Sequence, residues 1–575
     1  MRKVLALCFV LLAPLASIAG NAEQQARALF NADWQWRLQT QPEFATTVGD
    51  YRFNARLSDA SPAASVAATN HVRAMLDSAR RIDRTSLSEA AATSLDIFID
   101  EHELELKAAS FYPYNPQPIT LREGIHLSFA QLVAQMPFAT ERDYRNYLSR
   151  IDALPAHIDG VIAQLQEGMR SGWTVPRAAL HGVPEALRKL RENIETGPLA
   201  APFRAIPATI PAPAREKLFV AGPAALRARA APSLAKLEDF LLRVYLPAAR
   251  ESIAASATPG GTDWYGLLVR RHTSTGMTPA QVHELGKREM ARLAEEVHAA
   301  MRAAGFYGSF SEFVEFLGTD QRFYYSKPEQ LLEHYRAVVS RATRVLPTLF
   351  ASAPLEPLFV KALPDEHQGT AFYEAGAAER PAALLVNTTL LDTRAKWEVE
   401  ALALHEGLPG HHLQTARAHA AQLPPFRQRG WNVAYGEGWA LYAESLGPEL
   451  GFLRDPYSRF GQLNGELFRA ARLVVDTGIH AMGWSRQQAI DYLGANTANA
   501  PSDNALEVDR YIAWPAQALG YKVGQMKFRA LREKAQNTLG DRFDIRQFHS
   551  ALLDQGPMPL ALLERQVERW LDRQQ

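Results

Sequence analysis

The chain has 575 residues, and its 62 lysine and arginine residues balance its 62 aspartate and glutamate residues. A formal net charge of zero gives no general reason to expect nucleic acid or an anionic membrane as a partner. The apolar fraction of 47% is ordinary for a soluble protein, and the length predicts two or more packed subdomains.

The first 22 residues have the pattern of a secretory signal peptide. Arg2 and Lys3 precede an apolar run that is too short for a membrane span, and small residues follow it, so cleavage after Ala19 or Ala22 is expected. The one cysteine, Cys8, lies inside the apolar run, where a lipoprotein acceptor is not expected. We therefore expect a periplasmic or secreted mature chain without cysteine, in which a transition-metal site would use histidines and carboxylates.

Apolar residues recur at intervals of three and four over residues 23–193, which predicts mostly helices. Closely spaced prolines over residues 194–232 predict a connector without a continuous helix. Thr278, Pro279 and Gln281 have the pattern of a helix start, with Thr278 as N-cap, and this helix should run to about Ala304.

Three short strand-like segments follow, at Leu358–Lys361, Thr370–Glu374 and Ala382–Val386. An exposed edge strand can hold an extended peptide through backbone hydrogen bonds. The segment Ala383–Asn387 is the candidate for this edge, with Asn387 as a substrate-binding residue, and a core strand is the alternative.

The rest of the sequence is organised around residues 397–414, WEVEALALHEGLPGHHLQ. In the common zinc-peptidase motif H-E-x-x-H, two histidines one turn apart bind zinc and the glutamate acts as general base. His405 and Glu406 match the start of that motif, but Pro409 occupies the position of its second histidine.

On a straight helix, His411 would lie roughly 120° from the face of His405, and His412 would return to that face about 10 Å away. Pro409 and Gly410 can form a bulge that absorbs two residues and brings His411 into the place of the missing ligand. His412 remains the alternative ligand at this point.

A second motif, YGEGWALYAESL, places Glu437 and Glu444 on one face of an apolar helix. Burying both carboxylates unpaired would be costly, whereas a cation shared with the His405 helix would satisfy them. Glu437 is the predicted third zinc ligand, and Glu444 is a second carboxylate behind the ligands or an alternative ligand.

Two later segments supply candidates for the remaining chemistry. Asp476 and His480 lie one helical turn apart, so the carboxylate could orient the imidazole. A zinc hydrolase also needs a donor for the developing oxyanion, and Tyr511, Tyr521 and His480 are candidates. Arg510 could pair with a carboxylate of the substrate.

The motifs HEGLPGHHLQ, YGEGWALYAE, RLVVDTGIHAMGW and DRYIAWPAQALGYKVG resemble those of the bacterial family known as domain of unknown function 885. That family resembles zincin-like metallopeptidases with a glutamate as third ligand. The resemblance implies zinc ligands at His405, His411 and Glu437, with Glu406 as base. The Arg-Tyr pair at 510–511 is similar to that of peptidyl-dipeptidases related to angiotensin-converting enzyme, which places Tyr511 ahead of Tyr521.

From these observations we expect a mainly α protein with a small mixed sheet: a helical subdomain over residues 23–355 packed on a zincin-like catalytic subdomain over residues 356–575, with a deep cleft between them. The expected activity is hydrolysis of short peptides with one Zn²⁺ per chain, similar to a carboxypeptidase or dipeptidase. Two alternatives remain: a hydrolase of a non-peptide amide or ester, and a peptide-binding protein without activity.

Overall fold

The computed structural model describes residues 22–351, 356–363, 369–377 and 380–574. The predicted signal peptide, with Cys8, lies outside these residues except for Ala22. No helix within the described ranges is both long enough and apolar enough to cross a lipid bilayer.

Helices make up almost all of the regular structure, so the predicted mainly α class is confirmed. Short 3₁₀ turns join several of them, and π-helical turns lie at Leu226–Ala230 and Leu241–Tyr245. The helices are α1 (Ala22–Thr40), α2 (Pro42–Thr47), α3 (Pro62–Ala79), α4 (Glu89–Phe111), α5 (Ile125–Gln135), α6 (Glu141–Ser171), α7 (Val183–Glu192), α8 (Ala201–Arg204), α9 (Ala212–Ala225), α10 (Ala231–Phe240), α11 (Leu246–Ala248), α12 (Gly261–Thr273), α13 (Pro279–Ala303), α14 (Phe310–Thr319), α15 (Pro328–Val345), α16 (Val399–Glu406), α17 (His411–Ala420), α18 (Pro425–Gln428), α19 (Val433–Ser445), α20 (Pro456–Met482), α21 (Arg486–Asn496), α22 (Pro501–Ala513), α23 (Gly520–Leu539), α24 (Ile545–Leu553) and α25 (Leu560–Gln574).

The predicted connector at residues 194–232 is wrong, because α9 begins within it and continues towards α10. Pro211 is the N-cap of α9 and Pro213 lies in its first turn, where a missing backbone N–H costs no helical hydrogen bond. Closely spaced prolines therefore mark the start of this helix.

The helix predicted from Thr278 is confirmed as α13. The Thr278 hydroxyl accepts a hydrogen bond from the Gln281 amide at 3.3 Å, and the Gln281 side chain accepts one from the Thr278 amide at 2.8 Å. This helix packs along α20, and a β-carbon at Gly286 would lie 2.7 Å from the Leu473 β-carbon. The small residue thus allows the two helices a close approach.

The strands are β1 (Phe359–Leu363), β2 (Ala371–Glu374) and β3 (Ala383–Asn387), in the order β1-β3-β2. Strand β1 runs parallel to β3 and β2 runs antiparallel to it, so the small mixed sheet is confirmed. The central strand is β3, so Ala383–Asn387 is a core strand, which was the alternative to the predicted edge strand. Strand β2 lies at an edge of the sheet.

The hydrophobic core does not divide at residues 355 and 356. Two buried clusters are present, and each contains residues from both sides of that boundary. One cluster joins Phe30 to Trp439, and the other joins Tyr147 to Tyr511. The predicted subdomains therefore share their cores.

A cavity of about 990 Å³ lies among these helices. Phe44 and Thr47 of α2 line it from the N-terminal part of the chain, and β2, α16, α17, α19, α20 and α22 supply about half of the other lining residues. The cavity is at the upper end of the usual size range for a ligand pocket, and it corresponds to the expected cleft.

Candidate metal centre and its cavity

The segment between α16 and α17 forms a turn that separates two helices, where the sequence suggested a bulge within one helix. Helix α16 ends at Glu406, and α17 begins at His411. A β-carbon at Gly410 would collide with the carbonyl oxygen of His405. The Trp439 indole donates a hydrogen bond to the Pro409 carbonyl at 2.9 Å, which anchors the turn to α19.

The turn brings His405 and His411 next to Glu437 of α19. The Glu437 Oε2 atom lies 3.6 Å from His405 Nε2 and 3.4 Å from His411 Nε2. One ligand atom from each of the three residues can be chosen so that all lie within 4.8 Å of one another. The side chains are 2%, 9% and 12% exposed for His405, His411 and Glu437, respectively.

The two distances to Glu437 suit a shared cation better than direct hydrogen bonds. Zinc bonds of 2.0–2.2 Å in a tetrahedral site place neighbouring ligand atoms about 3.3–3.5 Å apart. An N–H···O hydrogen bond is usually 2.7–3.2 Å long, so both distances to Glu437 are too long for a good one. The donor set of two imidazoles and a carboxylate therefore fits Zn²⁺.

Glu444 supports this arrangement from behind. Its Oε1 atom accepts a hydrogen bond from His405 Nδ1 at 2.7 Å, and both side chains are 2% exposed. This contact fixes the ring with Nε2 directed at Glu437, as carboxylates commonly do for metal-binding histidines. Burial by itself would lower the pKa of His405, but its interactions with Glu437 and Glu444 outweigh burial and raise that pKa to about 9, so the pocket favours positive charge.

Glu406 lies beside the three residues and lines the cavity. Its Oε2 atom accepts a hydrogen bond from the Tyr373 amide of β2 at 2.8 Å. Burial raises its pKa, and the charge of Glu437 adds to this effect, while His405 and His411 oppose it. The Glu406 carboxylate is therefore held between the edge strand β2 and the candidate ligands.

His412 is directed away from the three residues. Its Nε2 atom lies 2.9 Å from the Glu356 carbonyl, and its Nδ1 atom lies 3.3 Å from the Tyr373 hydroxyl. The structure thus selects His411 over His412 as the histidine next to Glu437. His412 contacts the strand region instead of the candidate ligands.

His480 does not fit the predicted catalytic role. Its ring is buried outside the cavity, where Nδ1 accepts a hydrogen bond from the Ala255 amide at 3.0 Å and Nε2 donates to the Tyr511 carbonyl at 2.9 Å. Burial lowers its pKa to about 3, so the ring stays neutral. Asp476 does not orient it, because that carboxylate accepts hydrogen bonds from the Tyr265 hydroxyl and the Ala516 amide.

Tyr521 lies at the cavity and Tyr511 does not, which reverses their predicted order as candidate oxyanion donors. The Tyr511 hydroxyl is buried in a network, donating to Glu507 at 2.9 Å and accepting from Arg472 at 3.1 Å, and it does not line the cavity. Tyr521 does line it. Burial and then the negative charge of Glu437 raise the pKa of Tyr521, which keeps its hydroxyl protonated as a donor next to the candidate ligands.

Arg510 lines the cavity but already has a carboxylate partner. Two of its nitrogens donate to Glu507 at 3.1 and 2.9 Å, and a third donates to Gln517 at 2.6 Å. The sequence suggested that Arg510 pairs with a carboxylate of the substrate. The bidentate pair with Glu507 leaves Arg510 little capacity to bind such a carboxylate by itself.

Asn387 lies away from the cavity, at the end of the central strand β3. It is fully buried, and its side-chain oxygen accepts hydrogen bonds from Thr389. The predicted role in substrate binding therefore does not fit its position, because the strand next to the cavity is β2.

Residues 42–567 match the family described as "Bacterial protein of unknown function (DUF885)". The chain belongs to this family.

A solved structure of this fold, described as a "putative lipoprotein" from Colwellia psychrerythraea, has a TM-score of 0.91 and 27% identity, covering 96% of this chain and all of that one. A second, described as a "putative lipoprotein of unknown function" from Shewanella oneidensis, has a TM-score of 0.67 and 16% identity, covering 95% of this chain and 99% of that one. No curated protein matches the chain in sequence. The family and its fold are thus established, and the descriptions of the family and of these two relatives name no reaction.

In this DUF885 chain, sequence reasoning missed several residues of the cavity. Trp431 is half exposed, and its ring centroid lies 5.6 Å from that of His411. Gln414, one turn after His411, is buried against the cavity with a side-chain oxygen that has no hydrogen-bond partner among the described residues. Arg122 comes from a distant part of the chain. The spacing of Gln414 from His411 was a usable signal, whereas nothing near Arg122 or Trp431 in the sequence indicates the site.

Proposed function

We propose that this protein is a zinc-dependent hydrolase that cleaves the peptide bonds of short peptides. The observation that carries the proposal is the separation of 3.4 to 3.6 Å between Glu437 and the two imidazoles, with Glu406 beside them at the cavity. His405, His411 and Glu437 are the proposed ligands of one Zn²⁺ per chain.

When bound there, Zn²⁺ would lower the pKa of a coordinated water from 15.7 to about 7 and polarise the substrate carbonyl. Glu406 accepts the proton of the attacking water and later delivers it to the leaving amine. Tyr521 donates a hydrogen bond to the carbonyl oxygen as negative charge develops on it. Glu444 keeps the ring of His405 in the required orientation.

The edge strand supports a peptide as substrate. The Asn387 amide bonds to the Thr370 carbonyl, so in this antiparallel ladder alternate residues, Ala371 and Tyr373, direct their backbone groups away from β3. The Tyr373 amide indeed points at Glu406. An extended peptide added along β2 would therefore lie next to Glu406 and the proposed ligands.

An extracytoplasmic location is part of the proposal. It is supported by the signal-peptide pattern of residues 1–22 and by the description of two structural relatives as lipoproteins. Cys8 lies inside the apolar run, so a lipid anchor at that residue is not part of the proposal.

Metal content and turnover of the purified mature chain test the proposal. We expect about one zinc per chain and release of products from a mixture of short peptides, detected by mass spectrometry. Glu406→Gln should keep its zinc and lose roughly 10²- to 10⁴-fold in kcat. The matched control is Glu284→Gln, which changes an exposed carboxylate on α13 and should leave turnover unchanged.

Three results would contradict the proposal in different ways. A chain that binds peptides and zinc without turnover would be a binding protein. Turnover of amides or esters but of no peptide would indicate a non-peptide hydrolase. Equal activity of Glu406→Gln and the unmodified chain would remove Glu406 from the mechanism.

A further inference from the structure

Three arginines line the cavity near the carboxylate of Glu507, and two of them contact it. Glu507 accepts two hydrogen bonds from Arg510, at 3.1 and 2.9 Å, and one from Arg472 at 3.0 Å. Arg122 lines the same wall, and its charge interacts with those of Glu507 and Arg510. We call Arg122, Arg472 and Arg510 the arginine wall.

Arg122 is the unusual member of this wall. Among the described residues, no hydrogen bond or ion pair to its guanidinium group is found, and its Nε atom is buried. Its other nearby carboxylate, Asp509, is committed to a bidentate pair with Arg486, at 2.6 and 2.8 Å. A partly buried guanidinium group without a partner is costly unless a ligand supplies one.

The backbone holds Arg122 in this position. The amide of Leu121, its neighbour, donates to the Ala179 carbonyl at 2.7 Å, and the 3₁₀ turn Arg177–Leu180 packs against α22, which carries Glu507 and Arg510. Arg122 therefore belongs to the fixed wall, although it is far from the other two arginines in sequence.

Tyr521 links the arginine wall to the proposed metal site. The Arg472 guanidinium lies 4.5 Å from the Tyr521 ring centroid, and that of Arg510 lies 6.0 Å from it. Glu437 lines the same cavity, and its neighbour Gly438 packs directly on Gly524 of α23, the helix that carries Tyr521 near its start. Tyr521 therefore lies beside both the arginine wall and the proposed ligand Glu437.

The charge balance favours an anion at this place. Glu507 is the carboxylate whose charge acts on all three guanidinium groups, while Asp509 is paired with Arg486. Arg472 also has an Nη1 atom that is buried without a partner among the described residues. An extended chain advances about 3.3–3.6 Å per residue, so a peptide whose scissile bond lies at the ligands reaches past one ring within one or two residues. If the substrate peptide ends there, the group next to the arginine wall is its C-terminal carboxylate.

We infer that the arginine wall, through Arg122, binds the C-terminal carboxylate of the peptide, so that cleavage removes its last one or two residues. This inference rests on the proposed peptidase function and names the end of the substrate that the cavity selects. Arg122 is a specificity-determining residue in this scheme, and Glu507 holds Arg472 and Arg510 around the anion.

The first test needs no variant, because it compares blocked forms of one short peptide. Relative to the free acid, the C-terminal amide should lose roughly 10- to 100-fold in kcat/KM, as expected for one lost charge-assisted hydrogen-bonded contact. Acetylating the N-terminus should change kcat/KM by less than about threefold, well below the loss for one such contact. The released fragments, identified by mass spectrometry, should be single C-terminal residues or dipeptides.

The second test assigns the effect to Arg122. Arg122→Gln should raise KM for the free acid while leaving the amide nearly unchanged, so the ratio between the two substrates falls towards one. Arg122→Lys should recover part of that ratio. Arg177→Gln, an exposed neighbour paired with Glu251, is the matched control and should keep the full ratio.

Equal hydrolysis of the acid and the amide by the unmodified chain would overturn the inference while leaving the proposed peptidase function standing. An unchanged acid-to-amide ratio in folded Arg122→Gln would remove Arg122 from the subsite. Absence of turnover on every peptide form would refute the proposed function itself, so the two failures are distinguishable.

Discussion

Replacing Glu444 with glutamine tests whether the buried carboxylate orients a metal ligand. The Gln side chain has nearly the same shape and keeps an oxygen that can accept the proton of His405 Nδ1. The change removes the negative charge at one end of a 2.7 Å contact between two side chains that are 2% exposed. Solvent screens such a pair little, so the full effect of the charge should be measurable.

The expected loss can be worked out from this contact. A hydrogen bond to a charged group contributes about 1.5–3 kcal/mol, and loss of such a partner behind a metal ligand commonly weakens metal binding 10- to 100-fold. We therefore expect the zinc affinity of Glu444→Gln to fall 10- to 100-fold, or about 1.4–2.8 kcal/mol. The stabilisation that saturating zinc gives against thermal unfolding should shrink by a similar amount.

Competition with a chelator of known affinity measures the change directly, and thermal unfolding with and without zinc gives an independent value. Glu449→Gln is the matched control, since Glu449 pairs with Arg532 at 2.8 Å near the surface, away from the proposed ligands. A folded Glu444→Gln protein with unchanged zinc affinity would refute the reasoning, because His405 would then not need its carboxylate partner.

Three further predictions concern particular residues. Tyr521→Phe should lower kcat roughly 10²- to 10³-fold with little change in KM, as for a lost oxyanion donor, whereas equal losses in Tyr521→Phe and Tyr511→Phe would contradict the assignment to Tyr521. Gly410→Ala should abolish zinc binding or destabilise the fold, because there is no room for a β-carbon at this position. The control Gly494→Ala in α21 should change neither property, because its β-carbon would meet nothing within 4 Å. Calorimetry and metal analysis compare the two variants. Burial alone would raise the pKa of Asp33, but two histidine partners lower this pKa to about 2. The stabilising contribution of Asp33, about 2 kcal/mol, is therefore present above pH 4 and lost towards pH 2. Urea unfolding of Asp33→Asn should lack that part of the acid dependence, and an unchanged pH profile would show that Asp33 does not contribute it.

Local patterns in the sequence predicted local structure well. The capping box at Thr278 and Gln281 and the three short strands depend on neighbouring residues only, and they lie within two residues of their predicted positions. The approach of His405, His411 and Glu437 was also predictable, because a helix of apolar residues that carries unpaired histidines or carboxylates needs a shared partner.

Features that depend on which neighbour a helix face meets were not predictable. Asp476 and His480 have the correct spacing for mutual contact on α20, yet each bonds to a different segment of the chain. Tyr511 and Tyr521 look equivalent in sequence, and only the packing of α22 and α23 decides which of them reaches the cavity. Arg122 has no local signal, because its role depends on a contact between segments far apart in the chain.

One helix explains why the two extra residues before His411 do not disrupt the centre. Helix α19 supplies the proposed ligand Glu437, the supporting carboxylate Glu444 and the indole of Trp439, which holds the Pro409 carbonyl. The turn and the ligand are thus positioned by the same rigid element, so a longer turn can still place its histidine correctly.

The neighbour of α19 completes this arrangement. Gly438 packs directly on Gly524 of α23, and a β-carbon at either position would collide with the backbone of the other helix. This close approach brings Tyr521, near the start of α23, beside Glu437, one residue before Gly438. The glycines of the YGEGWALYAE and ALGYKVG motifs therefore fix the distance between the proposed ligand and the proposed oxyanion donor, and a larger residue at Gly524 should separate the two without altering either side chain.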